Sequence, residues 1–401
     1  MTQPTIQETV RQSLAGLDPA GSQFAVTAID RVLELGRRLL ASDLHLQPGP
    51  EGLELRLRLD GVLQPGTVFP TAVAPNLIAR LKVCAGLLTY RTDVPQEGRI
   101  RGDSAVEMRV SVFPTIYGER AVVRLFAGAD RYQRLDDLGL PEDVLQPLRE
   151  MLRQTSGAIL VTGPAGSGKT TTAYACLREA ASQSGGQRSL VSMEDPVEVA
   201  VPGVAQCQVN PTAELDLAAG LRYLLRQDPE VILMGEIRDR ATAEAAFQAS
   251  LTGHLLLSTF HAGSAAEAVG RLSDMGIEPY LLRSGLLAIL SQRLVRRLCP
   301  CAPWTDEPDA RLGLPIQRAR TPLGCAECGG TGYRGRFPLV EMLRPERSDV
   351  GRAILSRSDA AEIERLAAAA GMIGRWRRGT SAVAAGLTSP AELRRVLGWE
   401  T

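Results

Sequence analysis

The sequence predicts an α/β protein, with a domain built on a mostly parallel sheet preceded by a smaller α+β domain. From about residue 142, apolar runs of strand length alternate with helical segments, which is typical of a parallel sheet with crossover helices. The region before it combines helical periodicity with strands of alternating apolar and charged residues. A length of 401 residues is sufficient for two or three domains, each with its own core.

Helices and paired strands are predicted in the first domain. Apolar spacing predicts helices over residues 5–17, 24–41 and 72–88. The stretch LELRLRLDGVLQ (53–64) alternates leucine with charged residues around an Asp-Gly turn and therefore predicts a hairpin. The stretch AVEMRVSVFPTIYGERAVVRLF (105–126) predicts two further strands joined by a turn.

Two arginines of this last hairpin are predicted to be neighbours. If the turn is centred between Ile116 and Tyr117, Arg109 faces Arg124 across the strand pair. Directly opposed like charges are destabilising, so this pair predicts an anion between or above the two guanidinium groups.

Four apolar strands are predicted in the parallel domain, after a helix at 142–154. Their sequences are AILVT, SLVSM, EVILMGE and HLLLSTF. The carboxyl ends of parallel strands lie at one edge of the sheet, where ligands bind. We therefore expect functional side chains directly after these strands.

The sequence patterns divide the chain into six segments. They predict an N-terminal extension with an amphipathic helix (1–23), the α+β domain (24–130), a linker (131–141), the parallel domain (142–298), a cysteine-bearing subdomain (299–345) and a helical C-terminal region (346–401).

Composition and charge exclude several classes of protein. Lys plus Arg and Asp plus Glu both number 45, and this zero net charge disfavours a sequence-independent nucleic-acid binder or a helicase. The chain has no apolar run near the roughly 18 residues of a membrane span, and its N-terminus lacks a signal pattern, so we expect a cytoplasmic protein. Seven cysteines in that compartment are expected to be thiols or metal ligands.

A nucleotide-binding loop is predicted at GPAGSGKT, which follows an apolar strand and precedes a helical segment. The glycines let backbone N–H groups surround a phosphate, Lys169 neutralises β- and γ-phosphate charge, and the Thr170 hydroxyl is suited to Mg²⁺. The alternative is a chance glycine-rich turn, which the strand and helix on either side disfavour. The predicted nucleotide contacts are Gly163, Pro164, Ala165, Gly166, Ser167, Gly168, Lys169, Thr170 and Thr171.

Carboxylates follow two of the predicted strands. Glu236 ends EVILMGE and is a candidate for the second magnesium ligand, with Glu at a position where Asp is usual. The stretch MEDPVE places Glu194, Asp195 and Glu198 after another strand, as candidates for contacting the nucleotide or activating water. Solvated loop carboxylates are the alternative.

Histidines and arginines complete the set of candidates. His254 and His261 are two of only three histidines and flank one predicted strand, whereas the third, His45, lies in ASDLH. Strand-flanking histidines can also be ordinary core residues. Arg222 and Arg226 are four residues apart and are predicted to share one helix face, either solvated or facing phosphate.

Four motifs together resemble those of the secretion ATPases that drive type II secretion and type IV pilus assembly (the GspE/PilB group). GPAGSGKTTT, MEDPVE, LLRQDPEVILMGEIRD and TGHLLLSTFHAGSA are similar to its Walker A, Asp box, Walker B and His box. Upstream, ASDLHLQP, RLDGVL, QEGRIR and EMRVSVFPTIYGERAVVRLF resemble its second N-terminal domain, and CAECGGTGYRGR resembles its cysteine motif. The resemblance covers about residue 24 to the C-terminus.

This resemblance implies a RecA-like ATPase core preceded by a PAS-like α+β domain, in a cytoplasmic homohexamer that reaches the inner membrane through a platform protein. It implies ATP and Mg²⁺ bound between the domains, with Mg²⁺ held by Thr170 and Glu236 and water polarised by Glu198. His261 would sense the γ-phosphate, and His254 remains ambiguous between a structural and a sensing role. The residues it implies in catalysis or phosphate contact are Lys169, Glu198, Glu236, His261, Arg109, Arg124, Arg222 and Arg226.

Zinc is implied at four cysteines, although the sequence departs from the family there. The family generally has C-x-x-C twice, whereas Cys299 and Cys301 are separated by one residue; Cys325 and Cys328 keep the usual spacing. Four reduced structural thiols are the alternative. Only about 23 residues precede the α+β domain, so the usual first domain that docks on the membrane partner is expected to be missing.

The resemblance favours an assembly ATPase and leaves three other functions open. Retraction ATPases of pili share the core but usually lack the four cysteines. DNA-uptake ATPases are often short at the N-terminus. An inactive ring scaffold is disfavoured by the complete set Lys169, Thr170, Glu198 and Glu236.

Overall fold

A computed structural model describes residues 5–100, 108–125, 132–346 and 348–399. The helices are α1 Ile6–Leu14, α2 Phe24–Arg38, α3 Ala74–Cys84, α4 Glu142–Met151, α5 Lys169–Ser184, α6 Leu217–Leu224, α7 Arg240–Leu251, α8 Ala265–Asp274, α9 Pro279–Gly285, α10 Ser348–Leu355, α11 Ala360–Ala369, α12 Arg375–Ala384 and α13 Pro390–Leu397. The strands are β1 Asp43–Gly49, β2 Gly52–Leu59, β3 Val62–Phe69, β4 Gln96–Ile100, β5 Met108–Thr115, β6 Gly118–Leu125, β7 Gly157–Thr162, β8 Leu190–Glu194, β9 Ala205–Gln208, β10 Val231–Met234, β11 Leu255–Phe260, β12 Leu286–Leu298, β13 Trp304–Thr305, β14 Ala319–Arg320 and β15 Tyr333–Leu343.

The chain forms two compact units. The first contains the described residues of 1–128 together with 296–304 and 320–335, and the second contains those of 129–295, 305–319 and 336–401. The segment predicted as one cysteine-bearing subdomain (299–345) is therefore divided between the two units. The predicted boundary between the α+β domain and the linker, at 130 and 131, lies outside the described residues.

The first unit is built on a six-stranded antiparallel sheet with the order β3-β2-β1-β6-β5-β4. The alternation in β2 has the expected result: Leu53, Leu55 and Leu57 are fully buried, while Arg56 and Arg58 lie on the other face. The turn between β2 and β3 uses Asp60 and Gly61, both with positive φ, as the Asp-Gly pair predicted. The helices and both hairpins predicted for this unit are confirmed.

The second unit contains most of a seven-stranded sheet with the order β15-β12-β7-β11-β10-β8-β9. All the strand pairs from β12 to β9 are parallel. The central strands β7, β8, β10 and β11 are buried along their whole length, which explains why they are continuous apolar runs in the sequence. The predicted α/β class with a mostly parallel sheet is confirmed.

Three strands of the seven-stranded sheet were not predicted, nor were β1, β4, β13 and β14, and one helical prediction is wrong. The strands β9, β12 and β15 lack a regular pattern, because their burial is irregular along the chain. Helix α6 ends at Leu224, and the N–H of Arg226 donates to the Tyr223 carbonyl in a turn, so Arg222 and Arg226 do not share a helix face. The Asp-Pro sequence directly after this turn, at 228–229, prevents the helix from continuing.

None of the described helices combines the length and the apolar composition needed to cross a membrane.

Candidate nucleotide-binding and catalytic site

The predicted phosphate-binding loop lies between β7, which ends at Thr162, and α5, which begins at Lys169. Gly166 and Gly168 have φ of +74° and +87°, values that L-residues with side chains rarely adopt. Gly163 is required for a different reason: a Cβ there would lie 2.6 Å from the Gln292 carbonyl oxygen. The three glycines thus keep the loop close to its neighbours and leave backbone N–H groups at a helix N-terminus, which suits an anion.

The Lys169 ammonium group lies inside this loop. Its Nζ donates to the carbonyl oxygens of Gly163 and Pro164 at 3.0 and 3.1 Å. Burial lowers the pKa of Lys169, the nearby Glu236 carboxylate raises it, and Arg293 lowers it further. The lysine is therefore electrostatically coupled to the carboxylate that follows β10.

Glu236 and His261, predicted from separate motifs, are in direct contact. The His261 Nε2 lies 2.6 Å from Glu236 Oε1, and the Arg238 Nε lies 2.7 Å from Glu236 Oε2. Glu236 follows β10 and His261 follows β11, and these two strands are parallel neighbours. Lys169, Glu236 and His261 therefore meet at the carboxyl edge of the sheet, as strand topology predicted for that edge.

Gln292 supports the phosphate-binding loop and was missed by the sequence analysis. Its Nε2 donates to the Ser167 carbonyl at 2.7 Å, and its Oε1 accepts from the Thr172 hydroxyl at 3.1 Å. The side chain is only 1% exposed. The only signal in the sequence is a polar residue within the apolar run LLAILSQRL, which by itself does not indicate a role.

The carboxylates after β8 have different surroundings. Glu194 is buried and accepts hydrogen bonds from Ser192 Oγ (2.5 Å), Gln206 Nε2 (3.1 Å) and the Tyr174 hydroxyl. Burial and the Glu194 carboxylate raise the pKa of Tyr174 above its usual value. Glu194 thus lies in a hydrogen-bonded cluster of the protein interior, and its contact with the nucleotide stays a prediction.

Asp195 and Glu198 lie beyond that cluster. The Tyr174 hydroxyl accepts from the Glu198 backbone N–H at 3.2 Å and so fixes the start of this loop next to Glu194. Asp195 is about half exposed and lies 3.7 Å from Nη1 of Arg238, whose Nε contacts Glu236. Arg238 was not among the predicted residues and connects the two acidic segments.

His254 lies at the opposite end of β11 from His261. Its Nδ1 lies 3.0 Å from the Ala249 carbonyl oxygen near the end of α7. The six-residue strand Leu255–Phe260 separates the two histidines. His254 is therefore not brought to the phosphate-binding loop, and its contact with a helix end favours the structural role.

The sequence model of one family, the type II/IV secretion system proteins, matches residues 18–395 of this chain. The chain belongs to this family. It is 42% identical over 371 residues to the type II secretion system protein E of Aeromonas hydrophila, covering 90% of this chain and 73% of that protein. It is 41% identical over 344 residues to the type IV pilus assembly ATPase PilB of Thermus thermophilus, covering 83% of this chain and only 38% of that protein.

Solved structures of an ATPase and of a pilus motor share the fold. The Legionella pneumophila ATPase DotB matches with a TM-score of 0.66 and 20% identity over 94% of this chain and 97% of that one. The pilus retraction motor PilT with bound ADP matches with a TM-score of 0.63 and 22% identity over 91% and 95% of the two chains. At these identities the comparison shows the architecture alone.

The four cysteines of the secretion-family motif lie together. Sγ atoms of Cys299, Cys301, Cys325 and Cys328 are all within 4.8 Å of one another. Cys325 Sγ lies 3.7 Å from that of Cys299 and 3.8 Å from that of Cys328. Four thiolates around Zn²⁺ at about 2.3 Å have sulfur–sulfur distances of about 3.8 Å, so the cluster fits this metal despite the short Cys-Pro-Cys spacing.

The protonation of these thiols is uneven. Burial raises the pKa of Cys299 to about 12. Burial also acts to raise the pKa of Cys328, but backbone N–H groups of Cys325 and Gly332 donate to its sulfur and bring the value to about 7. None of the seven cysteines takes part in a disulfide, so all seven stay available as thiols or metal ligands.

The register of the second hairpin in the first unit is as predicted, with Arg109 opposite Arg124. The anion beside them is a carboxylate that the sequence analysis missed. Asp43 on β1 is directly opposite Arg124, and its Oδ1 lies 3.2 Å from Arg124 Nε, while its Oδ2 lies 3.2 Å from Arg58 Nε. His45, two residues further along β1, lies between Arg58 and Arg120, and its burial and Arg58 lower its pKa.

Proposed function

We propose that this chain is an ATP hydrolase that works as a homohexamer and powers the assembly of a pseudopilus or pilus. The observation that carries the proposal is the meeting of Lys169, Glu236 and His261 at the carboxyl edge of the parallel sheet. Membership of the secretion family and the names of its relatives support the same function.

In this proposal each residue of the site has a distinct task. The loop 163–168 and Lys169 bind the β- and γ-phosphates, because they combine helix N-terminal N–H groups with a cation. Thr170 and Glu236 offer the hydroxyl and carboxylate oxygens that Mg²⁺ prefers. Bound Mg²⁺ would neutralise charge that develops on the phosphates. Glu198 orients water, and His261, held by Glu236, contacts the γ-phosphate.

Arginines from two regions are proposed to bind phosphate as well. Arg109 and Arg124 belong to the first unit, and Arg222 and Arg226 lie at and just beyond the end of α6. Charge-assisted bonds between guanidinium and phosphate are among the stronger hydrogen bonds. Arg226 lies 6.0 Å from the centre of the Tyr223 ring, which restricts its position.

Assembly is preferred to retraction because the four-cysteine cluster is complete, and the wider machine would include an inner-membrane platform protein. The cluster would hold one Zn²⁺ through Cys299, Cys301, Cys325 and Cys328. A DNA-uptake system and an inactive ring scaffold remain the alternative functions. An assay of phosphate release distinguishes an ATPase from an inactive scaffold. The neighbouring genes distinguish a DNA-uptake system from a secretion or pilus system.

The test is phosphate release from Mg-ATP by the wild-type chain and by Lys169→Ala. We expect a folded variant with negligible turnover, because the loss of the ammonium group removes the counter-charge of the β- and γ-phosphates. The same assay with wild-type protein and no Mg²⁺ is the control. Equal turnover by wild type and variant would reject the assigned site, and a mass other than six chains in the nucleotide-bound state would reject the hexamer.

A further inference from the structure

The loop that follows β11 carries His261 and is fixed at several points. The guanidinium of Arg271 donates to the His261 carbonyl. The Gly263 carbonyl accepts from Arg293 Nη2 at 2.8 Å and from Arg375 Nη1 at 2.5 Å. The loop ends at Ala265, the first residue of α8. We call residues 261–265 the sensor loop.

Two positively charged guanidinium groups that bind one carbonyl oxygen repel each other, so the arrangement is electrostatically unfavourable. Burial and the charge of Arg375 lower the pKa of Arg293 to about 10. The nearest compensation for Arg375 is Glu341 on β15, whose Oε2 lies 3.0 Å from Arg375 Nε. Arg375 and Glu341 have side chains only 15% and 2% exposed, so this charge pair is largely removed from water.

Glu341 also contacts the sensor loop directly. Its Oε1 accepts from the Ala265 backbone N–H at 2.9 Å. Arg375 and Glu341 therefore hold the loop from both ends, one at the Gly263 carbonyl and one at the Ala265 N–H. Stability alone does not explain a buried charge pair, because well-packed apolar residues in its place often give an equally stable fold. Its two loop contacts give this pair a positional role.

We propose that Arg375, held by Glu341, is a positioning residue that fixes the sensor loop and thereby keeps His261 on Glu236. Arg375 lies in the C-terminal helical region and touches none of Lys169, Glu236 or His261, so its effect is transmitted through the loop backbone. The inference rests on the proposed ATP hydrolase function. Small displacements of a reacting geometry by distant residues can reduce turnover by about 100-fold.

The experiment compares the full-length protein with Arg375→Ala and Arg375→Lys. We expect Arg375→Ala to lower kcat by about 10- to 100-fold while the Kd for a fluorescent ADP analogue changes less than about 2-fold, because the phosphate-binding loop is untouched. Hydrogen exchange of residues 261–265 should become faster. Arg375→Lys should restore part of kcat, because an ammonium can donate to the Gly263 carbonyl, but its single nitrogen cannot reproduce the two separate contacts that Nη1 and Nε make with Gly263 and Glu341.

A neighbouring residue on the same helix provides the control. Arg378 is also largely buried, and its Nη1 donates to Asp143 Oδ1 at 3.1 Å, so its ion pair is with α4 and not with the sensor loop. Arg378→Ala should keep wild-type kcat and wild-type exchange at 261–265. If Arg375→Ala does not fold, Glu341→Gln replaces it, since the amide oxygen can still accept from Ala265 while the counter-charge of Arg375 is removed.

Three results would overturn the proposal. They are unchanged exchange at 261–265, faster exchange with unchanged kcat, and an equal fall in kcat and ADP affinity, which indicates general damage. Failure of the proposed function is distinguishable: wild-type protein would then release no more phosphate than Lys169→Ala, and exchange at 261–265 would still show whether Arg375 holds the loop.

Discussion

Replacement of Gln292 by methionine should destabilise the second unit, because this side chain joins β12 to the phosphate-binding loop. Methionine keeps the length and approximate volume but removes the amide. The Ser167 carbonyl then loses a 2.7 Å donor and the Thr172 hydroxyl loses its 3.1 Å acceptor. Gln292 is 1% exposed, so water cannot readily replace either bond.

The two losses differ in size. A buried group left without its partner costs about 1–3 kcal/mol. The Thr172 hydroxyl can rotate to a carbonyl one turn back in the helix, so its loss should be small. The Ser167 carbonyl has no such freedom, and we expect a total of about 2 kcal/mol. For a unit of this size that corresponds to a fall of about 4–8 °C in apparent Tm.

Thermal unfolding followed by circular dichroism at fixed protein concentration measures this change. Gln248→Met is the matched control, because Gln248 is exposed on α7 and should shift stability by less than about 0.5 kcal/mol. ATP turnover should also fall for Gln292→Met, since the loop geometry relaxes. An apparent Tm within about 1 °C of wild type would refute the reasoning, because it would mean that the two hydrogen bonds contribute nothing net.

Two further predictions concern the cysteine cluster and the arginines of the first unit. Protein purified without chelator should contain one Zn²⁺ per chain, measured by elemental analysis, and a Cys328→Ser variant should contain much less; a wild-type content near zero with all four thiols reduced would contradict the site. Arg124→Ala should lower kcat, by up to about 10³-fold if the guanidinium stabilises phosphoryl-transfer charge, while nucleotide affinity falls little. The control is Arg56→Ala, which removes an arginine of the same sheet that is paired with Glu54 and should leave kcat unchanged. If Arg109→Ala and Arg124→Ala both keep the wild-type kcat, these two arginines have no role in turnover.

The positions of Lys169, Glu236 and His261 were predictable because each depends on local sequence and one topological rule. A glycine-rich loop after an apolar strand specifies the lysine, and parallel strands bring the residues that follow them to one edge. The His261 and Glu236 side chains are in contact, although they come from different motifs. For these three residues, the motifs and the order of the strands indicate the same edge of the sheet.

The support behind these residues was not predictable in the same way. Gln292 contacts Thr172 across 120 residues of sequence, and Arg375 contacts Gly263 across 112. Both contacts depend on how strands and helices that are distant in the sequence pack together, and no short stretch of sequence indicates that packing. The surroundings of Glu194 were likewise not predictable: Tyr174, Ser192 and Gln206 donate hydrogen bonds to it, and no motif indicates these donors.

Asp43 explains why two opposed arginines are tolerated, and it changes the interpretation of the Arg124 experiment. The position of the turn between β5 and β6 predicts that Arg109 faces Arg124. The carboxylate lies on a third strand, β1, 81 residues from Arg124 in the sequence, so the turn could not indicate it. Asp43 is shared between Arg124 and Arg58, so one negative charge is paired with two positive charges and the three side chains keep a net positive charge. Arg124 is 61% exposed, and an exposed pair contributes only about 0–1 kcal/mol. Its loss should therefore cost little stability, and Arg124 can exchange this weak partner for a phosphate that carries more charge. A large fall in kcat with a small change in Tm is the result that this arrangement predicts.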